Sequence, residues 1–187
     1  MAGGTWGAQN KTLPGVYINF TSTRGLPLTT SDRGVVAICE PLNWGPVAQV
    51  QTIEAGADVV PFTGYDITNS KNRFLQEIFK GSNRTAAPQK VLLYRPTANG
   101  SASATATTGN LTATAQYPGT RGNDISIVIT AVVDAPSSFT VNTVVDAQVV
   151  DTQVGANVAD LTANDWVTFT GTGVLAATTG VPLAGVS

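Results

Sequence analysis

Histidine is missing from all 187 residues, and cysteine and methionine occur once each. Without histidine there is no Ser-His-Asp triad, no imidazole general base and no imidazole metal ligand. A single cysteine, Cys39, excludes an intrachain disulfide. It sits in the apolar run Val35-Val36-Ala37-Ile38-Cys39 and is expected to be a buried structural thiol, not a nucleophile. Charge is also scarce. Asp, Glu, Lys and Arg make up 12% of the chain, about half the usual share. The net charge of −2 leaves no footprint for nucleic acid. No stretch approaches the ~18 apolar residues of a membrane span. The opening MAGGTWGAQNKT lacks the charged-then-apolar pattern of a signal peptide, so the expected location is a cytoplasm, without membrane insertion.

What is there is 42% hydrophobic residues, enough for a core, with Thr, Ala, Gly and Asn in place of the missing charge. The charge that exists is uneven. Residues 1–95 hold nine Lys/Arg against six Asp/Glu, whereas residues 96–187 hold Arg121 alone against six Asp. That asymmetry predicts two domains. Between them lies TANGSASATATTG, residues 97–109, a low-complexity stretch expected to be a linker.

The chain is organised around NLTATAQYPGTRGNDISIVITAVV, residues 110–133. Leu111, Ala113 and Ala115 alternate with Thr112, Thr114 and Gln116, the period of a half-buried strand. Tyr117-Pro118-Gly119 is turn chemistry, and the β-branched Ile125–Ile129 suits a deeper strand. The pair reads as a β-hairpin or a β-arch. Before it, Val16-Tyr17-Ile18-Asn19-Phe20 is a short strand with no local partner, preceded by a small, polar arm. Val35–Cys39, Val47–Ile53 and Lys90–Arg95 are further strands. Phe74, Leu75, Ile78 and Phe79 predict a helix capped by Asn69 or Ser70 and stopped by Gly81. Beyond residue 110, Ser138–Val145 and Gln148–Gln153 predict a hairpin around Asp146-Ala147. Asp165–Thr170 predicts a strand, with Trp166 and Phe169 as core anchors, and Val158–Leu161 a turn. Gly180–Gly185 reads as a linker, and one helix is thin cover for the first sheet, which together predict that the chain is part of a longer polypeptide.

Three patterns have competing readings. Gly171-Thr172-Gly173-Val174-Leu175-Ala176 matches a dinucleotide-binding turn, but Gly180 and Pro182 would end the helix such a motif must open, so a glycine-rich β-turn is favoured. Asp146 and Asp151 could pair or bind Ca²⁺; with no D-x-D-x-D loop they are expected to be solvated turn residues. Lys80, Arg84, Lys90 and Arg95 gather after the helix, where cations suit its C-terminus and a structural role is favoured over a binding patch.

Four segments carry a resemblance: GGTWGAQNKTLPGVYINF, IFKG with KVLLYRP, NLTATAQYPGTRGNDISIVI, and DWVTFTGTG. In combination they resemble the N-terminal portion of contractile tail sheath proteins of myophages, nearest to those of prophages and phage-like particles of Gram-positive bacteria. The resemblance implies an α+β fold, a partial α/β inner domain (sheet plus helix) with an inserted all-β sandwich or barrel. It implies residues 1–24 as an arm whose Val16, Tyr17, Ile18, Asn19 and Phe20 add a strand to a neighbour. Residues 25–96 would be the first part of the inner domain, 97–109 the linker and 110–187 the outer β-rich domain. The implied role is structural, a subunit of hexameric rings stacked helically around a tail tube and contracting to drive it through the host envelope. Implied partners are other sheath subunits, the tube protein, and baseplate and tail terminator proteins, with no nucleic acid, cofactor or metal. The implied location is the virion, after assembly in the host cytoplasm. The alternative reading is a surface β-domain that binds carbohydrate or another protein; a nucleotide-dependent enzyme built on Gly171–Ala176 is a third.

Overall fold

In the computed structural model, which describes residues 34–81, 86–97 and 102–186, ten strands fall into three sheets. The arm and the strand expected at Val16–Phe20 lie outside the described residues. The molecule is mostly β, with few helices.

The first sheet is small and mixed. Strand β1 (Val35–Cys39) runs parallel to β3 (Lys90–Tyr94), and β2 (Val50–Glu54) runs antiparallel to it, in the order β1-β3-β2. The expected strand at 47–53 begins three residues later, because Ala48 turns through φ 55°. Helix α1 (Val60–Thr63) is one turn; α2 (Arg73–Lys80) follows a 3-10 turn at Ser70–Asn72. The Asn69 side chain accepts from the Lys71 N–H at 2.9 Å, an N-cap, and Gly81 ends the helix at φ 66°. Leu75 of α2 is fully buried against Ile53, Val59, Val91 and Leu93. Burial of side chains of this size contributes about 1.5–3 kcal/mol each.

Among the described residues, one face of this sheet is covered and the other is not. Alternation places Val35, Ala37, Cys39, Leu92, Tyr94 and Val50 on the other face. Cys39 is exposed there, contrary to the expectation of a buried thiol. The apolar run made it look like a central strand; β1 is an edge strand whose second face has no covering layer among the described residues.

The remaining strands form two facing sheets. One has the order β10-β6-β7-β8, from β6 (Ile125–Val132), β7 (Ala135–Val145), β8 (Gln148–Gly155) and β10 (Thr178–Pro182). The other has the order β4-β5-β9, from β4 (Thr105–Thr108), β5 (Leu111–Ala115) and β9 (Val167–Gly171). β5 and β6 lie in different sheets, so residues 110–133 form an arch and not a hairpin. Ile125, Ile127 and Ile129 of β6, together with Val141 and Val145 of β7, share a core with Leu111, Ala113 and Ala115 of β5. Large side chains on one sheet against small ones on the other fill the gap without overlap. The β7–β8 hairpin turns at Asp146-Ala147, both at positive φ (50° and 62°), the twist a two-residue hairpin loop needs.

Two segments expected as linkers belong to this sandwich. The stretch 97–109 contains β4, which pairs with β5 from Thr105↔Thr114 to Thr108↔Leu111, and Ala106 in it and Ala104 just before it are buried. Its Ser/Ala/Thr composition resembles a tether, but small residues are what fits behind β5. Likewise Gly180–Gly185 overlaps β10, which pairs with β6 through an irregular register. Leu183 is 1% exposed, and Ala184 exchanges two backbone hydrogen bonds with Thr105, joining the two sheets along one edge. Arg33–Ser187 is thereby one compact unit, although the composition of its halves differs.

Leu183 separates the two readings of this segment. Leu183→Ala is expected to lower unfolding free energy by about 2–4 kcal/mol, as large-to-small changes in a packed core do. Urea titration measures this; a linker residue would change stability by no more than about 0.5 kcal/mol.

Candidate functional site

Where the small sheet meets the sandwich, the chain brings together four segments with little regular structure. They are the turn Asn43-Trp44-Gly45-Pro46, the end of α1, the arch Tyr117–Asp124, and the turn at Asp146. Trp44 is 1% exposed. Its ring meets Tyr117 edge-on at 5.4 Å and Trp166 at 5.1 Å, tilted by 33°. Trp166, expected to anchor a core of the β-rich half by itself, thus also packs on a residue of the first half. Such aromatic pairs contribute about 0.5–1.5 kcal/mol beyond their burial.

Two arginines cross the seam from opposite sides. Arg95 follows β3 and is 5% exposed; its guanidinium donates to the Gly45 carbonyl and, at 2.6 Å, to the Pro118 carbonyl of the arch. Burial pulls it below the ordinary arginine value, and it makes no ion pair among the described residues. Arg121 lies in the 3-10 turn of the arch and is 4% exposed. Its Nε donates to the Gly64 carbonyl at 3.1 Å, at the end of α1. Nη1 and Nη2 donate to the two Asp146 oxygens at 2.8 and 2.6 Å, and Nη1 also to Asp124 Oδ2 at 3.0 Å. The guanidinium carbon stands 4.2 Å from the centre of the Tyr65 ring, a cation–π contact. Burial alone would lower Arg121, but the hydrogen bonds to Asp146 and Asp124 prevail and raise it. Burial also raises the Tyr65 hydroxyl, against the opposing pull of Arg121.

The seam has no slack. A Cβ on Gly64 would come within 2.9 Å of Trp44 and 3.0 Å of Arg121 Cγ. Gly119, at φ 131°, would overlap the Asn43 carbonyl if it carried one. The second feature is the uncovered sheet face, a groove of about 340 Å³ lined by Ala37, Ile38, Cys39, Val50, Leu92 and Tyr94, with Val50 61% exposed.

The other sequence candidates fall elsewhere. Asp146 is not a free turn carboxylate but the partner of Arg121. Asp151 accepts from Gln153 and Asn164, which hold it below the usual carboxylate range and tie the 156–166 loop to β8. No group of three or more His, Cys, Asp or Glu that could hold a metal occurs among the described residues. Gly171–Ala176 leads into a bridge between Val174 and Asn157 and not into a helix, so the frame of a dinucleotide site is missing. Of the cationic cluster, Arg84 lies outside the described residues and Arg95 faces the seam. Arg121 and Trp44 carry the joint without having been singled out; the signal was a lone cation in an acidic half, beside a turn. No helix among the described residues is long and apolar enough to cross a membrane.

Asp146→Asn tests the ion pair. Because the Asp146 carboxyl is lowered in the folded protein, its stabilisation is complete above the unfolded value, about 3.9. It is lost as pH falls through the lower folded value. Thermal midpoints of parent and variant should therefore differ most near neutral pH and converge on acidification below about 4.

Comparison with known proteins supplies context for this arrangement. Residues 98–185 match the family model described as phage tail sheath protein beta-sandwich domain. Residues 33–95 match the tail sheath protein Gp18 domain III N-terminal region. The phage-like element PBSX protein XkdK of Bacillus subtilis (strain 168) is 38% identical over 186 residues, which is 99% of this chain and 38% of that protein. The protein YqbK of the same strain is 37% identical over 188 residues, again 38% of its length. The crystal structure of a sheath tail protein from Desulfitobacterium hafniense superposes with a TM-score of 0.76 at 42% identity, covering 92% of this chain and 39% of that one. That from Listeria innocua gives 0.70 at 29% identity, covering 83% and 34%. The chain spans about two fifths of the length of the relatives it matches.

Proposed function

Because this chain belongs to the phage tail sheath proteins, we propose that it forms the N-terminal part of a contractile sheath subunit, the parts described here being a section of its inner domain and its outer β-sandwich. The family implies a virion component that assembles with other sheath subunits. The finer reading is a stack of hexameric rings around a tail tube, bounded by baseplate and terminator proteins and assembled in the host cytoplasm. Contraction would follow from a change between two packings of the same subunits, with no chemical step. The joint described above suits that role, since its buried arginines are spent on carbonyls, carboxylates and aromatic rings of the chain itself.

The observation that carries the reading is the paired match of 33–95 and 98–185 to two segments of one family. The open sheet face supports a further point. In a polypeptide of the relatives' length, later residues would cover Val50, Leu92, Tyr94 and Cys39 and complete an α/β layer buried on both faces. Cys39 is the only thiol, so its reaction with a maleimide reports directly. Labelling should be rapid in the 187-residue chain and strongly slowed in a polypeptide of the relatives' length. Equal rates in the two would refute completion of the layer by the later residues.

The arm is read as an intersubunit strand, Val16–Phe20, whose backbone donors find acceptors on a neighbour's sheet. Ile18→Pro removes a donor from its middle. Expressed with its tube protein in a full-length context, the variant should be soluble and folded yet form no sheath by electron microscopy. Normal sheaths would exclude this role for the strand.

A further inference from the structure

We propose that Arg121 is a positioning residue that sets one fixed orientation of the β-sandwich relative to the small sheet, so that the sandwich is a rigid extension and not a tethered module. The charged partners of Arg121 all lie on one side of the seam. Both carboxylates belong to the sandwich, Asp124 at the start of β6 and Asp146 in the β7–β8 turn, and with Arg121 they form an ion-paired socket. The small-sheet side supplies uncharged groups that fit this socket: the Gly64 carbonyl, the Tyr65 ring face and Trp44. Arg95 makes the reciprocal contact, reaching from the end of β3 to the Pro118 carbonyl.

A single contact across a seam leaves a pivot. Two arginine contacts in opposite directions define a line, and the Trp44 ring, against both Tyr117 and Trp166, opposes rotation about it. Gly119 brings the arch backbone too close to that of Asn43 for a side chain to intervene, and a side chain at Gly64 would collide with Trp44 and Arg121. Planar guanidinium forks add angular selectivity to each of their hydrogen bonds. The inference goes beyond the sheath reading and does not depend on it.

The test uses the 187-residue chain, with spin labels on native Cys39, which is exposed on β1, and on Val154→Cys, at a position 62% exposed on β8. Double electron–electron resonance should give one narrow distance in the otherwise unchanged chain. Arg121→Met should broaden it or split it into several, while dispersed amide signals from the sandwich persist. Tyr65→Leu removes the aromatic face on the small-sheet side and leaves both ion pairs and the Gly64 carbonyl in place; it should broaden the distance as well. If Arg121→Met costs the sandwich its own dispersion, Tyr65→Leu decides alone. A broad distribution in the starting protein overturns the proposal, and so does a narrow distance that survives Tyr65→Leu.

Discussion

A guanidinium placed where water is excluded needs partners for its N–H groups and its charge within the protein. Arg121 meets that requirement with two carboxylates, a carbonyl and an aromatic face. Much of the surrounding geometry serves this arrangement. Asp146 turns through a left-handed backbone conformation and still presents both oxygens to the guanidinium. The arch coils into a 3-10 turn that points Arg121 back across the seam. The last turn of α1 ends at a glycine whose carbonyl meets Nε. Its two carboxylate partners are half-exposed, so their own desolvation is modest and the ion pairs need not offset two fully buried charges.

The two parts joined at this seam differ in completeness. The sandwich has a continuous core from Ala104 to Leu183 and edges bridged by Thr105–Ala184 and Asn157–Val174, although Val133, Val149, Val154 and Val174 are exposed on its outside. Among the described residues, the small sheet has one packed face and one bare face. The chain spans about two fifths of the length of the relatives it matches. The conspicuous polar side chains, Arg95, Arg121 and Asn164, all bond to the chain's own groups.

Periodicity and turn chemistry made much of the local structure legible. The α2 helix with its Gly81 stop, the 3-10 turn that leads into it from the Asn69 cap, the β7–β8 hairpin at Asp146-Ala147 and the strands β3, β5 and β6 follow from patterns within a few residues of one another. The family was legible through segments such as NLTATAQYPGTRGNDISIVI. Composition misled where small residues meant close packing: β4 and β10 read as linkers because Ala, Thr, Gly and Pro are common to tethers and to tightly apposed strands. The apolar run at Cys39 misled in the opposite direction, since hydrophobicity does not say whether a covering layer is present in the same stretch of chain.

The amino-acid sequence by itself determined the absence of histidine chemistry and of disulfides, the strand and helix periods, and the family, because these reside in residue identities and short spacings. Tertiary structure alone decided that residues 110–133 form an arch between sheets, that Asp146 belongs to Arg121, and that Trp44 packs between Tyr117 and Trp166. Those pairings join residues 25 to 122 positions apart. They depend on how the sheets stack and on which buried charge requires a partner, and no local pattern encodes either.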